Sequence, residues 1–131
     1  MSDDGIGCAA CFGGSAEQVS QARRRLAAGA RLVDDSHFSV LLRVCGVCGQ
    51  RFVDVFSERI DWQGGNDPQA WLLVPVSDDE ANRLRGLDEA SVEGAVLALS
   101  PKRRCLDEYW PSEGGRIVRF SQGPLMIMPH D

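Results

Sequence analysis

The sequence lacks the features that mark a membrane protein, a secreted protein or the common enzyme families. No apolar run approaches the roughly 20 residues that a membrane-spanning helix needs. The first residues, Met1 to Gly5, are acidic, whereas a signal peptide is basic and then apolar. The catalytic motifs G-x-x-x-x-G-K-[ST], H-E-x-x-H and G-x-S-x-G are all missing. We therefore predict a cytoplasmic protein with no membrane segment and no enzymatic activity.

The sequence also has fewer basic residues than acidic residues. The chain has 14 Lys and Arg against 19 Asp and Glu, which gives a formal net charge of −5. This balance disfavours general nucleic-acid binding. Two short basic clusters, residues 23–25 and 102–104, fall near the ends of predicted helices, where the helix dipole favours positive charge. We interpret the first as a solvated helix end, and for the second the helix dipole is a sufficient explanation; a nucleic-acid site would require the two clusters to join on one face.

Length and composition are ordinary for a small soluble domain. The 131 residues predict one domain, spanning residues 1–131, that buries about two-thirds of its unfolded surface. The chain is 44% hydrophobic and 25% charged, so it can form a core of its own. A bound metal would therefore fasten one part of the fold instead of creating the whole of it.

Four of the five cysteines form two C-x-x-C pairs, Cys8 with Cys11 and Cys45 with Cys48. Each pair lets one tight turn direct two sulfurs at the same point, and two pairs complete the tetrahedron that suits zinc. The same thiolates also bind iron, which remains an alternative. Disulfides are disfavoured without a secretion signal. A thioredoxin-type redox pair is disfavoured too, because neither pair has a strand before it and a helix after it.

The second pair lies between two β-like runs, 38–44 and 51–56, and is followed directly by Gly49. Strand, C-x-x-C-Gly turn and strand together resemble the hairpin of a zinc ribbon. The first pair leads into a helix-like stretch and is similar to half of a treble clef. The resemblance covers the metal-site segments 5–14 and 38–60. It implies one structural metal bound by Cys8, Cys11, Cys45 and Cys48, and it transfers no activity.

The remaining pattern predicts an α+β fold. We expect a mostly antiparallel sheet of about five strands, with about three helices on one side and the metal site at one edge. Capping boxes at Ser15 and Ser77 mark two helix starts; the apolar stripe of the first helix extends to Leu26 and Ala30. The predicted elements are a helix from 15, strands near 37–44, 51–60 and 71–76, helices near 78–87 and 89–99, and a final hairpin of 116–120 and 124–128.

Three single residues outside the cysteine pairs could have either a structural or a functional role. Cys105 would need a base to act as a nucleophile, and only His37 and His130 exist, so we predict a buried, inert thiol. His37 is predicted to lie on the surface instead of serving as a fifth ligand. Trp62, in a loop rich in glycine and aspartate, either folds back onto the core, which we favour, or is displayed to a partner.

These observations lead to one functional prediction. We expect a non-catalytic zinc-binding protein, in which one structural zinc stabilises a module that binds an unidentified protein partner. The first alternative is a transcription-associated zinc ribbon that binds nucleic acid. An enzyme is the weaker alternative, because an all-thiolate site has no open position for substrate or activated water.

Overall fold

The computed structural model describes residues 7–59, 68–99, 103–111, 114–122 and 127. Within them it has an α+β fold: an open antiparallel sheet of six strands in the order β1-β2-β3-β4-β5-β6, with three helices. The sheet thus has one strand more than the five expected. In chain order the elements are α1 (Ala16–Arg23), β1 (Ala27–Asp34), β2 (Phe38–Val44), β3 (Arg51–Glu58), β4 (Gln69–Val76), α2 (Asp78–Arg85), α3 (Glu89–Leu99), β5 (Arg104–Trp110) and β6 (Ile117–Gln122).

The first helix is shorter than predicted, and the strand that follows it was missed. The capping box at Ser15 is present, but α1 ends at Arg23 and the chain continues as β1. Gly29 weakens any helix through this stretch. In the strand it lets the backbones approach closely, since a Cβ there would lie 3.3 Å from the carbonyl oxygen of Leu42. Pairing with β2 therefore overrides the helical pattern.

One of the last two strands was also missed by the prediction. No strand was predicted between the helix near 89–99 and the hairpin at 116, yet Arg104–Trp110 form β5. β6 matches the predicted strand near 116–120 and pairs with β5, with Leu106 opposite Phe120. The predicted hairpin partner, 124–128, lies mostly outside the described residues. Charged residues such as Glu108 interrupt the apolar alternation of β5, which hid the strand.

The helices lie on both faces of the sheet, which corrects the prediction of helices on one side. α2 and α3 cover one face through Ala81, Leu84, Val92 and Val96. On the opposite face, the segment that contains Phe12 and α1 packs on the sheet. The central strands require this, because neighbouring residues such as Val53 and Phe52 are both fully buried and point to opposite faces. In the sequence of β3, Phe52 and Phe56 share a face with Asp54 and Glu58, which suits either a strand with both faces partly covered or one with a bulge. The structure has the former, since β3 pairs in continuous register with both neighbours.

The second helical pair agrees with the sequence. α2 begins at a capping box in which Ser77 and Glu80 exchange hydrogen bonds. α3 covers the predicted range, Glu89–Leu99. None of the described helices combines the length and the apolar character needed to cross a membrane.

Candidate metal centre

The turn between β2 and β3 has the predicted C-x-x-C-Gly form. The N–H of Cys45 donates to the carbonyl of Gln50, and the N–H of Gly49 donates to the carbonyl of Cys45, each at 2.9 Å. Gly49 adopts φ +81°, a conformation that favours glycine. The N–H of Val47 points at Cys45 Sγ from 3.4 Å. The local sequence thus places the sulfurs of Cys45 and Cys48 on one side of a tight turn.

The first C-x-x-C pair forms a second tight turn. The N–H groups of Cys11 and Phe12 both donate to the carbonyl of Cys8, at 3.1 and 3.0 Å. Gly7 precedes the turn with φ +67°, and a Cβ there would lie only 2.7 Å from Cys11 Sγ. Glycine is therefore required at position 7 for the sulfur of Cys11 to reach its place.

The two turns bring all four predicted sulfurs together. Every Sγ of Cys8, Cys11, Cys45 and Cys48 lies within 4.8 Å of the other three. Three of the Sγ–Sγ separations are 3.9 Å for Cys8–Cys11, 3.9 Å for Cys8–Cys45 and 3.8 Å for Cys11–Cys48. Four sulfurs at ~2.3 Å from a central zinc are separated by ~3.8 Å along the edges of the tetrahedron. These four cysteines could therefore hold a metal ion.

The cluster lies at the end of the β2–β3 hairpin, over the face of the sheet that α1 covers. β2 and β3 are the second and third strands of the sheet, so the turn that bears Cys45 and Cys48 connects two inner strands. Cys11 and Cys45 are buried, Cys8 is half-buried and Cys48 is exposed. Two of the four sulfurs thus face the protein interior, and one side of the cluster remains open to solvent.

The surroundings act unequally on the thiols. Burial raises the pKa of the Cys11 thiol above the usual range, because it disfavours a thiolate. Cys48 is exposed as a residue, but partial desolvation of its sulfur raises the pKa of this thiol as well. At Cys45, burial also opposes ionisation, but hydrogen bonds from the N–H groups of Cys48 and Val47 outweigh it and lower the pKa to about 7. Four thiolates packed this closely repel one another. A cation among them would offset both the burial and the repulsion.

Gln50 ties the cluster to the sheet. Its Nε2 donates to the carbonyls of Arg51 and Val76, each at 2.9 Å, and its Oε1 accepts from the N–H of Gly7 at 3.2 Å. One amide therefore joins the segment that bears the first cysteine pair to the ends of β3 and β4. Gln50 was not predicted as a functional residue. The only feature of the sequence that marks it is its position directly after C-x-x-C-Gly.

Phe12 anchors the other side of the first cysteine pair. It is 1% exposed, and its ring lies 5.6 Å from that of Phe52 and 5.5 Å from that of Phe120. The guanidinium of Arg104 lies 5.2 Å from the ring centroid of Phe12 and 4.2 Å from that of Phe120. The residue next to Cys11 is thus part of the core.

α1 is held on the sheet largely by buried charges. Arg23 Nη1 lies 3.1 Å from Asp54 Oδ1, and Arg43 Nε lies 2.6 Å from Asp54 Oδ2. The Arg23 guanidinium also stands 5.7 Å over the ring of Trp71. The prediction of a solvated helix end is therefore wrong for Arg23, because a buried carboxylate on β3 lies beneath it.

A second polar group fixes the start of α1. The buried Glu108 accepts hydrogen bonds from Ser20, Trp110 and Arg116. Burial opposes ionisation of Glu108, but the hydrogen bond from Arg116 and those from its other partners lower its pKa. Arg116 also bonds to Glu17, at 2.8 Å. Both ends of α1 are thus bound to the sheet through ion pairs.

The second basic cluster is also engaged in the fold. Arg103 binds Glu80 through both terminal nitrogens, at 2.7 and 2.8 Å, and donates to the carbonyl of Pro75. Arg104 packs against Phe12 and Phe120 as described. Arg103 Nε also donates to the carbonyl of Leu99, the last residue of α3, at 3.2 Å, which agrees with a cation favoured at this helix end. Arg104 instead lies in β5, and Lys102 lies outside the described residues.

The structure describes two of the four other residues considered in the sequence, Cys105 and His37. Cys105 is fully buried among the residues under α2 and α3, and burial raises its pKa to about 12, so the prediction of a buried thiol is confirmed. His37 is partly exposed and lies 3.1 Å from Glu58, outside the cysteine cluster. Trp62 and His130 lie outside the described residues.

Comparisons of this chain with protein-family models, with curated proteins and with solved structures found no match.

Proposed function

We propose that Cys8, Cys11, Cys45 and Cys48 bind one structural zinc ion per chain, in a non-catalytic domain that serves as a protein-interaction module. The observation that carries the proposal is the arrangement of the four sulfurs. Three of the six Sγ–Sγ separations are 3.8–3.9 Å and all are within 4.8 Å, and a zinc tetrathiolate tetrahedron has edges of ~3.8 Å.

The ligand set supports zinc as the resident metal. Four thiolates in tetrahedral arrangement are the usual ligands of structural zinc. Iron accepts the same ligands. A ferric tetrathiolate absorbs visible light whereas a zinc tetrathiolate does not, and elemental analysis distinguishes either oxidation state of iron from zinc.

The position of the cluster supports a structural role. The ion would join two segments 37 residues apart, each already shaped by backbone hydrogen bonds. A tetrahedral site with four protein ligands has no position for a substrate or an activated water. The enzyme alternative would therefore require one cysteine to leave the metal, and the exposed Cys48 is the residue to examine for this.

The exposed apolar residues support an interaction role. Val47, at the tip of the second turn, is 77% exposed, and Trp110 and Ile117 are 43% and 48% exposed. In the proposed role these side chains, which lie in the β2–β3 turn and at the ends of β5 and β6, are the exposed apolar groups available to a partner.

In the nucleic-acid alternative the two basic clusters would bind the phosphates, but three of their five described arginines already contact other groups of the protein. Arg23, Arg103 and Arg104 are occupied by Asp54, Glu80 and two phenylalanine rings. Arg24 and Arg25 remain exposed. Fluorescence anisotropy with labelled single- and double-stranded oligonucleotides at low salt tests this alternative. Salt-dependent binding that the double substitution Arg24→Glu and Arg25→Glu abolishes would support it.

Metal analysis of the purified protein tests the zinc proposal. We expect one zinc per chain by elemental analysis, and loss of that zinc on Cys45→Ser or Cys48→Ser. Cys105→Ala is the matched control, because it removes a buried cysteine from outside the cluster and should leave the zinc content unchanged. A folded wild-type protein with no metal and five titratable thiols would refute the proposal; a red, iron-loaded protein would refute zinc alone.

A further inference from the structure

The outer edge of β1 has no strand beside it in the described part of the chain. β1 is the first strand of the sheet, so it pairs on one side only, with β2. An unpaired edge presents a row of backbone N–H and C=O groups to which another strand can bind. β6 forms the opposite edge of the sheet and is followed by residues 123–126, which lie outside the described residues.

Side chains leave this edge accessible. Ala27, Ala28 and Gly29 are exposed, and in β1 only Val33 is buried. Small side chains let a second backbone approach closely. α2 and α3 contact β1 from one face of the sheet, and a strand that pairs edge to edge needs neither face.

The charges around β1 are arranged with opposite signs at its two ends. Arg24 and Arg25 are exposed just before the strand, while Asp34 is its last residue and Asp35 follows it. None of these four has an ion pair among the described residues. When two antiparallel strands pair, the start of one lies beside the end of the other. A second copy of β1 would therefore place each arginine pair beside an aspartate pair.

We propose that β1 is a docking edge at which two copies of this chain pair antiparallel and form a symmetric homodimer. In a two-fold symmetric dimer the same surface of both subunits forms the interface, so that surface must be complementary to itself. The proposal rests on the interaction role proposed above and names its partner as a second copy of the chain.

The irregular pairing of β1 limits the strength of this dimer. Its register with β2 shifts between Ala28 and Arg31 and again between Arg31 and Val33. Such bulges bend an edge strand and shorten the ladder that it offers. A short ladder gives a dimer that depends on concentration, and the charged ends select the antiparallel partner. Added salt should weaken it, because exposed ion pairs are screened.

Sedimentation velocity on the metal-loaded full chain, across a range from micromolar to several hundred micromolar, tests the proposal. Wild type should pass from monomer to dimer. The variant Arg24→Glu/Arg25→Glu and the variant Asp34→Arg/Asp35→Arg should each raise the dissociation constant about tenfold to a hundredfold, because each places like charges at both ends of the pair.

Mixing the two variants gives the decisive measurement. In the mixed dimer, glutamates at 24 and 25 of one chain meet arginines at 34 and 35 of the other, and the native pairs meet at the opposite end. An equimolar mixture should therefore recover the wild-type dissociation constant, although each variant alone dimerises more weakly. Misfolded variants would not recover it.

The control variant is Arg83→Glu/Arg85→Glu, which makes the same change of charge at two exposed residues of α2. It should dimerise like wild type. Hydrogen exchange provides a second readout: amides of 27–34 should become protected as wild type dimerises, and those of α2 should not.

Two results would overturn the proposal. One is a wild-type protein that stays monomeric up to the highest concentration; the other is a dimer whose affinity the charge reversals at β1 leave unchanged. Neither result affects the zinc proposal, which metal analysis of the same samples decides separately. Conversely, a metal-free protein that still dimerises through β1 would refute zinc and retain the docking edge.

Discussion

Arg23 on α1 and Asp54 on β3 form a buried ion pair, 3.1 Å between Nη1 and Oδ1, with side chains only 8% and 7% exposed. The pair joins the helix that follows the first cysteine pair to the strand that follows the second. Arg43 from β2 completes it at 2.6 Å. One carboxylate thus holds two cations between the helix and the sheet.

Removing the shared carboxylate should cost more than removing either cation. Asp54→Ala leaves two guanidinium groups without their partner, and we expect a loss of about 3–5 kcal/mol in unfolding free energy. Arg23→Met keeps Asp54 paired with Arg43 and retains most of the apolar stem, so its loss should be smaller. Urea denaturation of the metal-loaded protein measures both. Arg24→Met, at the exposed neighbour, is the control; a larger loss for Arg23→Met than for Asp54→Ala would contradict the assignment.

Phe12 should link core packing to metal affinity. Phe12→Ala removes a fully buried ring that touches Phe52 and Phe120, and truncations of this kind cost about 3–5 kcal/mol. Because Phe12 is adjacent to Cys11, the same change should also weaken zinc binding in a competition titration with a chromophoric chelator. Phe12→Leu should lose less on both measures. Val47→Ala, in the other turn but 77% exposed, serves as the control and should change neither.

These contacts show which parts of the molecule the sequence could predict. The turn at Cys45–Cys48 was predictable because its glycine and its ligand spacing are local, and the capping boxes at Ser15 and Ser77 are local too. The ion pair of Arg23 and Asp54 spans 31 residues, and no pattern along the chain records it. An arginine near a helix end has the same sequence whether it meets solvent or a buried carboxylate.

The missed strands have a related cause. β1 contains alanines that favour a helix in isolation, and only its pairing with β2 makes it a strand. β5 carries Glu108 on a buried face, where the carboxylate is stable because Ser20, Trp110 and Arg116 surround it. Sequence periodicity detects strands whose buried face is apolar, so a buried polar network conceals a strand.

The ion pair of Glu80 with Arg103 should make stability depend on pH below about 5. The hydrogen bonds from Arg103 lower the pKa of Glu80 to about 2, so the folded state binds its proton less readily than the unfolded chain does. The contribution of this carboxylate is complete above its unfolded pKa and is lost as pH falls from about 5 to 2. Its size is on the order of 2–3 kcal/mol.

Glu80→Gln isolates this contribution, because glutamine at the third helical position still completes the capping box with Ser77. We expect a lower free energy of unfolding than wild type at pH 7 and a smaller decline between pH 5 and pH 2. Urea titrations of both proteins at each pH give the difference. Asp79→Asn, at the exposed neighbouring carboxylate, is the control; parallel pH profiles for wild type and Glu80→Gln would contradict the assignment.

Removal of the metal should loosen one face of the sheet and spare the other. The sulfurs of the four clustered cysteines meet at the end of the β2–β3 hairpin. Two of these residues, Cys11 and Cys45, pack with the apolar core on the face under α1, which includes Phe12, Phe52 and Leu73. The apolar residues under α2 and α3 contain no member of the cluster. Hydrogen exchange with and without a zinc chelator tests this difference between the faces.

We expect amides of residues 7–14 and 45–50 to exchange at least about tenfold faster after chelation, because the ion joins these segments directly. Amides of α2, α3 and the centre of β4 should keep most of their protection, since the core beneath them is apolar and complete without metal. Cys45→Ser should reproduce the chelated pattern, whereas Cys105→Ala should not. Uniform loss of protection across both faces would instead make the zinc a condition for folding the whole chain, as in small zinc fingers.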